Sequence, residues 1–245
     1  MSSIDVDYNF INDIPGYWDG YWEEVGGWGR SHYDVDIHSK TLREYHRILW
    51  GRQLPDGTVF DLKDDSHYLS YKGMHFGSDS IASSFRYKTY MSMFEQIKKA
   101  IPDYQSFYEN YLSQANTIAA FVIFPKHPGS MNQCRGTRES ISDRWDITLD
   151  CIRRFYLGES NPLSDVLEKD RQFYEMFVDF KGYVDFFFLN DCVSDDYSSV
   201  KRWAHWPSTG QSTLPLTCEE YFQYVERELD FIKQRKERIR NHIMQ

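Results

Sequence analysis

The chain has no apolar run long enough to cross a membrane: the longest, 118–125 and 183–189, fall well short of the roughly 20 residues a helix needs. It has no Cys-x-x-Cys pair, no His-x-His and no His-Glu-x-x-His, so its four cysteines and eight histidines offer no recognisable zinc site. A Gly-x-Ser-x-Gly elbow, a Walker loop and a dinucleotide fingerprint are also missing. The first residues, Met-Ser-Ser-Ile-Asp-Val-Asp, lack the basic and apolar regions of a secretory leader. With Cys134, Cys151, Cys192 and Cys218 widely spaced, this predicts free thiols and a soluble, cytoplasmic protein with no membrane association. Basic residues are scarce as well. Lys plus Arg total 28 against 37 for Asp plus Glu, a net charge of −9, which disfavours bulk binding of duplex nucleic acid.

What the chain has in excess is aromatic surface. Tyrosine (18), phenylalanine (17) and tryptophan (7) make up 17% of 245 residues, enough to predict a well-packed interior. Residues 1–36 read as an irregular Gly- and aromatic-rich segment, pinned to the body by Tyr17, Trp18, Tyr21, Trp22 and Trp28. Residues 37–245 show no repeat or linker and are expected to form one domain.

Helices are expected over 41–50 (a Thr41/Glu44 capping box), 90–100, 104–113, 141–156, 162–178, 180–193 and 217–242 (a Thr217/Glu220 capping box). Strands are expected at 58–62, 68–71, 117–124 and 200–206, and Ser78-Asp79-Ser80 reads as the N-cap of a helix running toward Tyr90. Helices and strands do not alternate regularly. That pattern predicts an α+β class, a helix-rich single domain with a small, mostly antiparallel sheet.

The densest concentration of chemistry lies in 135–156, where five arginines and three aspartates occupy a Gly-containing loop and the helix after it. At 100° per residue, Ile141, Trp145, Thr148, Leu149, Ile152, Phe155 and Tyr156 share an apolar arc. Asp143, Asp146, Asp150, Arg153 and Arg154 fall on the other side. A hard cation such as Mg²⁺ wants oxygen ligands, and the three carboxylates have the spacing to supply them. The competing reading is a solvated polar face with an ordinary Asp150–Arg154 pair.

Ahead of this helix, Arg135, Gly136 and Arg138 combine guanidinium forks, a backbone free to approach closely and helix-end amides, a setting for phosphate or carboxylate. Arg144 lies at the edge of the apolar arc and should reach a specific partner. Ser78 and Asp79 could add a hydroxyl and a carboxylate. Asp185 is a candidate buried carboxylate, paired with an arginine of the earlier helix. Arg235, Lys236, Arg238 and Arg240 form a basic C-terminal patch that suits the helix dipole, and Arg235 and His242 have the spacing of one class of helical ribonuclease motif.

Four segments together resemble an uncharacterised bacterial family, a domain of unknown function: 38–50, 76–81, Arg135-Gly136 with 143–156, and 180–187. The resemblance covers about 8–241. It departs at Asp150 and Ile147, where the family carries Glu and Leu. It implies one continuous bacterial domain and no particular reaction.

Two functions follow from the residues. The first is a pocket for a small phosphate-bearing or carboxylate ligand, with or without a divalent cation, built on Arg135, Gly136, Arg138, Asp143, Arg144 and Asp146 with Ser78 and Asp79. The arginines would then stabilise negative charge. The second is a non-catalytic module that meets a protein partner through the aromatic N-terminal segment and an acidic surface.

Overall fold

The N-terminal residues are tied down by burial of their apolar side chains. Ile4, Val6, Phe10, Ile11, Ile14 and Tyr17 are all buried, and Phe10 packs edge-on against Tyr45 and Phe121. These contacts come from a computed structural model that describes residues 4–19, 34–65, 68–82, 91–138, 141–204, 213, 215 and 217–245. The side chains of residues 91–94, 137 and 138 are not among them. Tyr21, Trp22 and Trp28 of the expected aromatic anchor also lie outside the described residues.

A short helix, α1 (Val35–His38), begins under an Asp34 cap and leads directly into α2 (Lys40–Trp50). Ser39, not Thr41, caps α2 by accepting from the Leu42 amide. Thr41 instead bonds Asp13 of the N-terminal segment, and Glu44 is taken by Arg47, so the expected capping box does not form. Leu42, Tyr45 and Leu49 face inward as their spacing requires.

Four strands follow in an antiparallel sheet ordered β1-β2-β3-β4: β1 (Lys63–Asp64), β2 (Leu69–Tyr71), β3 (Met74–Ser80) and β4 (Phe121–Pro125). Lys72 and Gly73, both at positive φ, make the two-residue turn that joins β2 to β3. The expected strand at 58–62 is reduced to a single Gln53–Val59 bridge. Ser78-Asp79-Ser80 is not a helix cap. It ends β3, paired with Phe121–Ile123 of β4, because cross-strand hydrogen bonds and tertiary partners outweigh the local preference of Ser and Asp for caps.

Helices α3 (Met91–Ala100) and α4 (Tyr104–Ala115) cross to a 3₁₀ turn and β4, whose residues are all buried. The loop expected over 125–139 contains a helical turn, α5 (Met131–Gln133), that runs into a π-turn at Cys134–Arg138. After α6 (Trp145–Tyr156), the expected helix 162–178 is broken at Asp170 into α7 (Ser164–Lys169) and α8 (Arg171–Glu175). α9 (Phe180–Phe186) packs Tyr183, Phe186 and Phe187 into an aromatic cluster with Phe173 and Phe177. Val200 makes only one bridge, to Val193, and no strand forms over 200–204.

The last helix, α10 (Cys218–Ile243), starts where its sequence signal places it, with Thr217 accepting from the Glu220 amide. It buries Tyr224, Phe231, Ile232, Arg235 and Ile239 at three- and four-residue spacings. The chain is therefore a helix-rich α+β domain with a small antiparallel sheet, and among the described residues no helix is long and apolar enough to cross a membrane.

Candidate functional site

α6 buries Trp145, Leu149 and Ile152 completely, as its apolar arc requires. Two residues of its polar arc, Asp146 and Asp150, are buried too, while Asp143, Arg153 and Arg154 stay partly exposed. Arg202 and Trp203 lie over the two buried aspartates: the Trp203 amide donates to Asp146, Arg202 donates to the Asp146 carbonyl and reaches Asp150 at 2.6 Å, and Asp150 also accepts from Arg153. Asp146 and Asp150 are thus enclosed by protein donors and do not form a solvated face. Among the described residues, no group of three or more His, Cys, Asp or Glu is arranged to hold a metal, so the Asp143/Asp146/Asp150 spacing does not become a cation site.

The arginines singled out from the sequence are internal clasps. Arg135 is fully buried, and its guanidinium donates to Asp79 Oδ2 (2.5 Å), the Ser80 carbonyl (3.2 Å), the Asp143 carbonyl (3.0 Å) and Thr148 Oγ1 (2.9 Å). It also lies 5.5 Å from the centre of the Trp145 ring. The Asp143 amide donates back to the Arg135 carbonyl, so Arg135 grips that residue from both sides. This grip holds a strained corner, since Ser142 and Asp143 are both at φ +59°, a left-handed conformation that costs about 1–2 kcal/mol for a residue with a Cβ.

Arg144 makes a second clasp. Its Nε and Nη2 make a forked pair with both Asp146 oxygens at 3.0 and 2.6 Å, and its remaining donors reach the carbonyls of Thr213 and Ala204. Both partners are fully buried. Thr148 joins the two clasps by accepting from Arg135 and donating to the Arg144 carbonyl. Gly136 sits in the π-turn, while the Arg138 side chain is outside the described residues. Arg135 and Arg144 therefore do not converge on one opening, and their forks are filled by the protein itself.

Ser78 and Asp79 point to opposite faces of the sheet, as successive strand residues must. Asp79 goes to Arg135. Ser78 Oγ lies 3.0 Å from His46 Nε2, and His46 Nδ1 accepts from the Trp50 indole at 2.8 Å. An indole N–H can only donate, so Nδ1 carries the lone pair and Nε2 the proton. Burial, with Arg235 nearby, pulls the His46 pKa down to about 3, which keeps the ring neutral. His46 consequently donates to Ser78 and cannot serve as its base, which excludes a Ser–His nucleophile here. Asp185 is not paired with an arginine of α6 either; it is bound by Lys181, Asn190 and Tyr197 on its own side of the fold.

Beside Ser78 is a feature that the sequence did not disclose. A cavity of about 170 Å³ opens between α1, the end of β3, α4 and β4, lined among others by Asp34, Asp36, Ser80, Asn116 and Phe121. Asp36 Oδ1 is closed off from solvent without a hydrogen-bond partner. Burial and repulsion from Asp34 and Asp79 push the Asp36 carboxyl well above the usual carboxylate range, against the opposing pull of Ser78 and Lys126. Burial also raises Asp34, and raises Asp79 to about 6 despite Arg135. All three carboxyls are raised above the usual carboxylate range, and Asp36 feels both of the others, which marks this corner as chemically unusual. Only the Asp-Val-Asp spacing of Asp34 and Asp36 hinted at it, and that spacing reads equally well as a helix cap.

No curated protein and no solved structure matches the chain. A family profile does so over residues 4–239, nearly its whole length. The chain belongs to that family, DUF6994, a family of unknown function.

Proposed function

We propose that the protein binds a small organic amine, protonated at neutral pH, in the cavity beside α1. The observation that carries this reading is Asp36, a carboxyl at the cavity wall whose Oδ1 has no hydrogen-bond partner, with the Asp34 carboxyl beside it on the same wall. An ammonium group adds positive charge to that of Lys126 and brings several N–H donors to the wall. It would compete with a proton for the raised Asp36 carboxyl. Affinity then falls as the pH drops through the Asp36 pKa.

A phosphate-bearing or carboxylate ligand at Arg135, Arg138, Arg144, Asp143 and Asp146 has weaker support, because the donors of Arg135 and Arg144 are already bound to protein acceptors. The cytoplasm of a bacterium is the setting we favour, on the strength of four free cysteines and the resemblance of the sequence segments.

Thermal shift with methylamine, ethanolamine and putrescine tests the proposal, since a ligand of the native state raises the melting temperature. The expected result is a concentration-dependent rise that exceeds matched NaCl, weakens at lower pH and disappears in Asp36→Asn. A rise of equal size in Asp36→Asn, or none with any amine, would overturn the proposal.

A further inference from the structure

The two clasps of α6 show how this protein treats a buried arginine: each guanidinium is given a carboxylate. Two others are treated differently. Arg235 of α10 is fully buried, and its donors go to the carbonyls of Phe187 (3.0 Å), Ala119 (2.7 Å) and Phe121 (2.9 Å). Its Nη2 is sealed with no acceptor. Arg52, just beyond the end of α2, has both Nε and Nη2 sealed with no acceptor, while the residue as a whole stays partly exposed. Its guanidinium lies over Phe188 at 4.2 Å, Phe186 at 4.5 Å and Trp50 at 5.8 Å. Arg235 lies 5.7 Å from the same Trp50 ring. Among the described residues neither arginine makes an ion pair.

Among the described residues, acidic groups along α10 already have basic partners of their own. Asp191 is bound by Arg238, Glu237 by Arg240, and Asp7 by Lys236 and Arg240. The nearby ring of His242 packs on Phe188 at 5.1 Å and feels the Arg52 charge. Burial pulls the Arg52 pKa down to about 10; burial and the Arg52 charge pull that of Arg235 down to about 9. Both values still leave the groups charged at neutral pH. Buried charge without a counter-charge is costly. Aromatic faces recover part of that cost. They do not supply the acceptors that the sealed N–H groups want.

We infer that the partly exposed edge of Arg52, walled by Phe186, Phe188 and His242 and backed by the buried Arg235, is a binding site for an oxyanion of the phosphate or carboxylate class. The oxyanion meets Arg52 at this partly exposed edge, where the charges of Arg52 and of Arg235 beneath it draw it in. The aromatic walls keep the fork flat and partly dry, which raises the strength of a charge-assisted hydrogen bond. Nothing about this site depends on the amine cavity. The two lie on different side chains, and either can fail alone.

The test uses the full chain and two probes, inorganic phosphate and acetate, against NaCl at equal ionic strength. NMR titration of His242 in the wild type is the first readout: an anion beside it moves its titration to higher pH, with no variant needed. Calorimetry of Arg52→Met, which keeps an apolar stem against the rings but removes the fork, is the second. The expected results are a raised His242 titration with one or both probes, and a loss of affinity of about tenfold or more in Arg52→Met. A response to phosphate alone identifies a phosphate-class ligand, and a response to both identifies general oxyanion recognition. An unmoved His242 with both probes, or equal affinity in Arg52→Met, overturns the inference.

Discussion

Replacing Arg135 by Met should destabilise the fold far more than a loop substitution ordinarily does. The side chain is fully buried and donates four hydrogen bonds, to Asp79, Ser80, Asp143 and Thr148. Met keeps much of the volume and removes every donor. Breaking a buried ion pair by deleting one partner costs about 3–5 kcal/mol, because the other charge is left uncompensated. Against a total stability of about 5–15 kcal/mol this is a large fraction.

Urea unfolding followed by tryptophan fluorescence should show the midpoint falling by about 1–2 M for a slope near 3 kcal/mol per M. The pH dependence carries more information. Asp79 already titrates near 6, above the carboxylate value of 3.8 in an unfolded chain. Without Arg135 its folded pKa rises further. A raised folded pKa favours the folded state at low pH and penalises it as pH climbs through that value, so the variant should lose more stability at pH 8 than at pH 5. The double variant Arg135→Met/Asp79→Leu should recover much of the loss, since an apolar pair leaves no stranded charge. A loss under about 1 kcal/mol in the single variant, independent of pH, would refute the clasp.

Three further outcomes are expected. Trp145→Ala should cost about 3–5 kcal/mol in the same unfolding assay, because it empties a fully buried indole site on α6. Cys151 should label slowly with a thiol reagent at neutral pH, since burial, with Asp150 beside it, pushes its thiol up to about 12; labelling at the rate of an exposed cysteine contradicts this. His46, lowered to about 3 from 6.5, contributes stability that is complete above pH 6.5 and is lost as the pH falls toward 3. ¹⁵N NMR should therefore find its ring neutral and protonated at Nε2 at pH 5, and a doubly protonated ring there would break the Trp50–His46–Ser78 chain of reasoning.

Features set by local rules were legible in the sequence. Thr217 caps α10 through Glu220, and the apolar arc of α6 points inward, because both depend on residues three or four positions apart. What escaped depends on distant partners. Ser78-Asp79-Ser80 has the composition of a cap, but β4 is more than 40 positions away and turns it into strand. Asp146 and Asp150 on the polar arc of α6 look solvated until Arg202 and Trp203, over 50 residues later, cover them. Arg135 and Arg144 stood out as charge-rich positions, yet only the fold shows that Asp79 and Asp146 fill their forks. Arg52 drew no notice for the opposite reason: its distinguishing property is that it makes no ion pair among the described residues, which no sequence window displays.

The account turns on where the protein keeps its unbalanced charge, and the most direct measurement is a ¹³C-detected titration of the aspartate carboxyls with Asp36 assigned. The account predicts that Asp36 titrates well above the ordinary carboxylate range and that Asp79 titrates near 6. Ordinary titration of Asp36 near 3.8 would contradict it, because the cavity wall would then hold a settled carboxylate with no place left for a cation to fill.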